Sequence, residues 1–291
     1  MASAPPSRDR AQIPGGTHGI MNPGAGLRRF DLQRFEASED LRDFVSRFWV
    51  VRWELGEQCH EQEILPFPRV NVSFQASEAR VVGPSAERFV ARLSGSGCVL
   101  GVRFEPAGFA VFSDRPMTRW LGTQASVTEV FGAVGEALFQ ELCAACANFS
   151  SAELADEQLY LARARVEEFL GQRCVTCLVT ERETVRQLNG LIERAQSDRE
   201  LKRAEQLAEL AGCSLRSLQR LFERLVGVSP KWVLCRARAQ DAAERVAAGH
   251  SVDWARLALE LGYHDQAHFI RDFKAQIGFT PTAYAARCAA V

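Results

Sequence analysis

Apolar residues change their spacing twice along this chain. From Leu27 the pattern is β-like: Phe48-Trp-Val-Val-Arg-Trp53 is aromatic and β-branched, and Val70-Asn-Val-Ser-Phe74 alternates as a half-buried strand does. Arg80-Val-Val82 runs into the turn signal Gly83-Pro84, and Arg88–Leu93 and Cys98–Phe104 follow. Strands at this spacing predict a small antiparallel sheet or barrel-like sandwich. Asp40 to Arg47, just before them, reads as helical. Pro106 to Pro116 leaves the sheet. From Val127 the period becomes helical, with Val130, Phe131, Val134, Leu138 and Leu142 three and four apart. Ala155–Leu170 predicts a second amphipathic helix, Gln172–Val179 a linker, and Glu181–Ala195 a third helix with Val185, Leu188, Leu191 and Ile192 on one side. Residues 1–26 are rich in Pro, Gly, Ser and charge and bury too little to offset their ordering entropy; they are expected to be disordered.

The stretch from Leu207 to Pro281 says nearly the same thing twice. Leu207, Ala208 and Gly212 of the first copy match Leu257, Ala258 and Gly262 of the second. After one extra residue in the second turn, Arg220, Phe222, Gly227 and Pro230 match Arg271, Phe273, Gly278 and Pro281. Each copy is a short apolar helix, a Gly-centred turn and a second amphipathic helix, the pattern of a helix-turn-helix. Ser229-Pro230 and Thr280-Pro281 each set a capping hydroxyl before a proline suited to a first helical position. Pro230–Ala248 is then one Ala-rich helix, roughly 28 Å long at 1.5 Å per residue. That length suits a strut holding two probes near one DNA turn apart, about 34 Å.

Composition sets outer limits. A chain of 291 residues with 47% hydrophobic content allows two domains with real cores. The net charge of -1 rules out a uniformly basic coat, but from Asp198 onward 14 Lys and Arg face 11 Asp and Glu, a local +3. No apolar run opens the chain as a signal peptide would, and none approaches the roughly 18 residues of a membrane span. The nine cysteines are therefore expected to be reduced thiols in a cytoplasmic protein.

In the first recognition helix, Leu215–Leu225, Leu215, Leu218, Leu221, Phe222 and Leu225 fall on one side, and Arg216, Ser217, Arg220, Glu223 and Arg224 on the other. Arginine bonds guanine O6 and N7 bidentately in a major groove, so Arg216 and Arg220, four apart, form a candidate base-reading pair. In the second, Asp265–Ile277, Phe269, Ile270, Phe273 and Ile277 point inward, and Ala267, His268 and Arg271 outward with His264 nearby. Gln266 is expected on the apolar side. Ser214 and Asp265 are the expected N-caps. His268 is a candidate for a base or a phosphate. Arg203, Ser214, Ser217, Gln219, Lys231, His264, Gln266 and Lys274 are the candidates for backbone contact or positioning.

From about Glu181 to Arg287 the chain resembles the DNA-binding domain of the AraC/XylS family of bacterial transcription regulators. The resemblance rests on Ser214-Leu-Arg-Ser-Leu-Gln-Arg-Leu-Phe222, Gly227-Val-Ser-Pro230, Asp265-Gln-Ala-His-Phe-Ile-Arg-Asp-Phe-Lys274 and Gly278-Phe-Thr-Pro-Thr-Ala-Tyr284. It implies two helix-turn-helix subdomains on a long helix, reading successive major-groove segments of double-stranded DNA. Arg216, Arg220, Ala267 and Arg271 would take the base-facing positions, Ala267 departing from the polar residue common there. It also implies contact with RNA polymerase, hence activation. Phe44–Phe112 resembles a sensor-like domain that precedes this region in some members, through Phe48-Trp-Val-Val-Arg-Trp53, Glu63-Ile-Leu-Pro66 and Gly101-Val-Arg-Phe-Glu-Pro-Ala-Gly-Phe109. It implies effector binding or dimerisation, so a small molecule and a second copy of the chain are candidate partners. The whole then reads as an α+β protein, with a β-rich region and trailing helices over 28–175 and an all-α DNA-binding region over 178–291.

Other chemistry competes with this reading. Cys143-Ala-Ala-Cys146 and Cys174-Val-Thr-Cys177 could hold a zinc ion, which would make the chain a metal- or thiol-responsive protein. The gap between the pairs exceeds the usual spacing and knuckle residues are missing, so small buried side chains fit better. His60-Glu-Gln-Glu63 has one histidine and no second cluster for a cupin-like metal. Cys98 lacks the context of an alkyl-transfer site. Trp49, Trp53 and Arg103 could line a pocket or simply be core and strand surface. No phosphate loop, nucleophile set or carboxylate pair stands out, so neither catalysis nor a cofactor is expected.

Overall fold

The computed structural model describes residues 26–64, 67–85, 89–147, 152–175, 177–247 and 253–289. The segment expected to be disordered lies, but for Gly26, outside the described residues. Six strands, β1 (Asp31–Phe35), β2 (Val45–Ile64), β3 (Asn71–Phe74), β4 (Ala79–Val82), β5 (Phe89–Phe104) and β6 (Gln124–Ser126), form an antiparallel sheet in the order β1-β2-β5-β3-β4-β6. Phe48 and Val50 of β2 and Leu100, Val102 and Phe104 of β5 are buried on one face, as the alternation predicts. The positions between them put Arg47 and Trp49 beside Arg103 on the other face, with Trp53 farther along it opposite Gly97.

Three expectations change here. The two strands expected at Arg88–Leu93 and Cys98–Phe104 are one: β5 is continuous from Phe89 to Phe104, because β2 pairs with it from Val45↔Phe104 to Ile64↔Phe89, and Arg88 lies outside the described residues. Gly97 leaves the room that the Trp53 ring occupies, and Gly101 does the same for Trp49. The far half of β2 escapes the periodicity because Glu54–Glu63 is almost wholly polar. Asp40–Arg47 is not a helix: one turn closes, with the Leu41 carbonyl accepting from Val45 N, and Val45 then joins the sheet opposite Phe104. Finally, the helix expected to end at Leu170 runs on to Cys174, so the connection is shorter than Gln172–Val179.

Two 3-10 turns, Gly108–Phe112 and Met117–Trp120, follow β5. Nine helices come after among the described residues: α1 (Val127–Ala147), α2 (Ala152–Cys174), α3 (Val179–Ser197), α4 (Ala204–Leu210), α5 (Leu215–Leu225), α6 (Pro230–Ala247), α7 (Trp254–Glu260), α8 (Gln266–Ile277) and α9 (Pro281–Ala289). One buried apolar cluster runs from the sheet through Phe104, Phe109, Trp120, Leu170 and Leu188 to Phe222 and Val233. A second comprises Ala239, Leu257, Phe269, Phe273, Ile277 and Tyr284. The division between the two falls inside α6, after Leu234 and before Ala239.

Candidate nucleic-acid interface

Each half of the repeat folds as two helices about a glycine. Gly212 between α4 and α5 has φ 62°, and Gly262 between α7 and α8 has φ 77°, backbone that a side chain would strain. Both second helices start on the expected caps. Ser214 Oγ accepts from Ser217 N at 3.2 Å, and an Asp265 carboxylate oxygen accepts from His268 N at 2.7 Å. The His268 amide, then the His264 ring, hold the Asp265 carboxyl below its usual range. Ser229 and Thr280 cap α6 and α9 in the same way.

Burying Leu218 and Phe222 turns one face of α5 inward and leaves Arg216, Ser217, Gln219, Arg220, Glu223 and Arg224 exposed. On α8, Phe269, Phe273 and Ile277 are buried, while Gln266, Ala267, Arg271 and Lys274 are exposed. Gln266 was expected on the apolar side; it is the first residue of the helix, one turn before the stripe that begins at Phe269. His264 is exposed. His268 is part-buried, edge-on to the Tyr263 ring at 5.2 Å, with Nε2 3.7 Å from an Asp272 carboxylate oxygen. It is less free to reach a base than its outward position suggests. Arg203 and Lys231 are exposed near the starts of α4 and α6.

The charges fall into two groups. Arg199, Arg245 and Arg256 are tied to Asp241 or Glu260. Arg216, Arg220, Arg224 and Arg271 make no side-chain hydrogen bond or ion pair with a described residue. An exposed guanidinium left without a partner on the outer face of a helix is available to phosphate or to a base edge. Both second helices present such a face.

Arg236 was missed by the sequence reasoning. It is fully buried in α6, its guanidinium donates to the Gln276 carbonyl near the end of α8, and it lies 5.1 Å from the Trp232 ring centre. Burial pushes it down to about 10. The signal was a lone charge on the apolar stripe of α6, three residues from both Val233 and Ala239.

The competing sites come apart. The Cys143 thiol donates to the Ala76 carbonyl, and Cys146 Sγ lies 3.6 Å from the Phe74 carbonyl, both beside β3. Cys177 instead bonds Glu181 at the start of α3. Burial pushes Cys146 up to about 11 and Cys174 up to about 12, which keeps both protonated rather than ready for a metal. Among the described residues no three His, Cys, Asp or Glu side chains gather as a metal site would require. In the cupin-like run, Glu61 pairs with Arg92 and Glu63 with Arg287.

Comparison with known proteins finds a helix-turn-helix domain in the same region. Residues 207–287 match the family model of a helix-turn-helix domain, and residues 33–126 match a domain of unknown function, DUF6597. The region 207–287 is a helix-turn-helix domain. An uncharacterized HTH-type transcriptional regulator from Haemophilus influenzae is 29% identical over 126 residues, 43% of this chain and 41% of that protein. The chain therefore matches less than half of that relative's length. An AraC-type regulator structure from Chromobacterium violaceum is 22% identical over 35% of this chain and 92% of its own, with a TM-score of 0.33. ToxT from Vibrio cholerae is 9% identical over 90% of this chain and 98% of its own, with a TM-score of 0.36. Within this region α5 and α8 are the second helices of the two halves. No helix among the described residues is long and apolar enough to cross a membrane.

Proposed function

We propose that the chain is a sequence-specific DNA-binding transcription regulator that lays α5 and α8 in successive major-groove segments of one duplex. The observation that carries this reading is the matched pair of unpartnered basic faces, Arg216 and Arg220 on α5 and Arg271 on α8. Arg216, Arg220, Ala267 and Arg271 face bases, and His268, steadied by Asp272, contributes at the edge. Arg203, Ser214, Ser217, Gln219, Lys231, His264, Gln266 and Lys274 position the phosphate backbone. Ala267 contributes at most contact with a thymine methyl. The regulator acts in the cytoplasm, recruits RNA polymerase as an activator, and answers to a small effector at the sheet region, with a second copy of the chain as a candidate partner there. Genome-wide mapping of bound sites tests the reading. Protected segments should span two groove segments, and Arg220→Ala should cost about 1–3 kcal/mol at the specific site while sparing most non-specific binding. Equal loss on every DNA sequence contradicts base reading by Arg220.

A further inference from the structure

The sheet face opposite the core gathers several arginines. Strand register sets Arg47 of β2 and Asn71 of β3 on either side of Arg103 of β5. Arg69 stands two residues before Asn71, and Arg34 of β1 lies opposite Trp49. Four guanidiniums thus share one region. Of these, Arg69 pairs with the Glu105 carboxylate at 2.7 Å. Glu193 of α3 adds attraction to Arg69.

Burial, then the charges of Arg69, Arg47 and Arg34, push Arg103 down to about 9. Burial, then Arg47, pushes Arg34 down to about 10. The Nε atoms of Arg47 and Arg69 are buried with no hydrogen-bond partner. Arg103 makes no hydrogen bond or ion pair within 4 Å to a described residue. A part-buried guanidinium without a partner is costly, and a cluster of them is more so. Beside them the Trp49 ring lies against Gly101, where any side chain would collide with it. The indole is thus pressed onto the sheet next to the cations, with room only because residue 101 is glycine.

We propose that this face binds a small organic anion, through a carboxylate or phosphate gripped by Arg47, Arg69 and Arg103, with its flat or apolar portion against Trp49. Arginine's planar fork matches both oxyanions bidentately, and an aromatic plane beside the fork suits a ring. The position links the site to the DNA-binding region. Asn189 of α3 accepts from Ala107 N and donates to the Asp43 carbonyl, both at 2.9 Å, and Arg186 pairs with Asp43 at 3.0 Å. The helix that leads into the helix-turn-helix region is therefore pinned to the ends of the two strands that carry Arg47 and Arg103. The site rests on the effector reading only for its effect on DNA, not for the binding itself.

The test uses the full chain at constant ionic strength in chloride, with benzoate, phenyl phosphate, inorganic phosphate and neutral benzyl alcohol as probes. Thermal midpoint and tryptophan fluorescence are the readouts. Benzoate or phenyl phosphate should raise the midpoint and alter the emission, the stronger of the two naming the oxyanion, and benzyl alcohol should do neither. Arg47→Gln and Arg103→Gln should each weaken binding by about tenfold or more. Glu105→Gln, which removes the competing carboxylate, should tighten it, an outcome that general damage to the fold would not produce. No response to any anion, undiminished binding in both arginine variants, or weaker binding in Glu105→Gln overturns the proposal. Anion binding as described with unchanged affinity for operator DNA leaves the site standing and removes the effector role.

Discussion

Gly227 ends α5 with φ 88°, its N–H donating to the Phe222 carbonyl at 2.8 Å. A Cβ built there would lie 2.6 Å from the Met117 carbonyl oxygen. That carbonyl belongs to the second 3-10 turn, so the contact joins the first helix-turn-helix to the sheet region. Gly212 is the control: its φ is 62°, and a Cβ would meet nothing within 4 Å. Alanine at Gly212 therefore costs only the left-handed backbone term, about 1–2 kcal/mol. Alanine at Gly227 adds overpacking against a backbone oxygen, about 1–3 kcal/mol more. Urea unfolding of the full chain, followed by tryptophan emission, measures both. Trp120 ends the same 3-10 turn and is nearly fully buried, so it reports on this junction. Equal losses for Gly212→Ala and Gly227→Ala would refute the docking of α5 against Met117.

Arg236→Ala removes a buried side chain and its hydrogen bond to Gln276, and should destabilise the chain by about 2–5 kcal/mol. A variant as stable as the parent would show that α6 and α8 are not joined there. Asp265 has a depressed folded pKa, so its cap stabilises α8 fully above the unfolded value of 3.8 and loses that effect as pH falls through the lower folded value. Asp265→Asn should flatten the pH dependence of unfolding in that acid window, and an unchanged slope counts against the cap. Cys98 and Cys174, each pushed up to about 12 by burial, should resist an aromatic disulfide reagent at pH 8 in the native chain, whereas the exposed Cys59 reacts at once. Rapid modification of all three would contradict the burial.

What the sequence disclosed follows from how local each signal is. The α5 and α8 helices carry caps, stripes and terminal glycines within a dozen residues, so their bounds were legible from spacing alone. The core strands at Phe48–Trp53 and Cys98–Phe104 were legible because one face alternates. The far half of β2 was not, since Glu54–Glu63 gains its place by pairing with residues about 30 positions away. The four-arginine face was hidden for the same reason. Arg34, Arg47, Arg69 and Arg103 sit on three strands and a loop, and only the register unites them. Arg103 alone of the four drew notice, as a pocket wall or a strand-surface charge. Arg236 shows the converse: its anomaly was local, but the carbonyl it serves comes from another helix.

The apolar core clarifies how the parts communicate. The expected boundary at 175–178 falls on the connection between α2 and α3, yet one cluster of buried side chains crosses it and takes in Phe222 of α5. Its counterpart Phe273, on α8, belongs to the second cluster. The first probe is thus fastened to the sheet region by Gly227 and Met117, and the second, among the described residues, through α6, Arg236 and the Arg287–Glu63 pair at 3.0 Å. An exposed ion pair of that kind contributes about 0–1 kcal/mol, far less than a shared core. An anion that shifts α3 would therefore move the α5 probe with the sheet and alter its spacing from α8. Removing Glu63 by Glu63→Gln should leave stability nearly unchanged while loosening α8. Hydrogen exchange would then quicken in α7–α9 and not in α5. Equal quickening in both helices would mean that a single core serves the two probes.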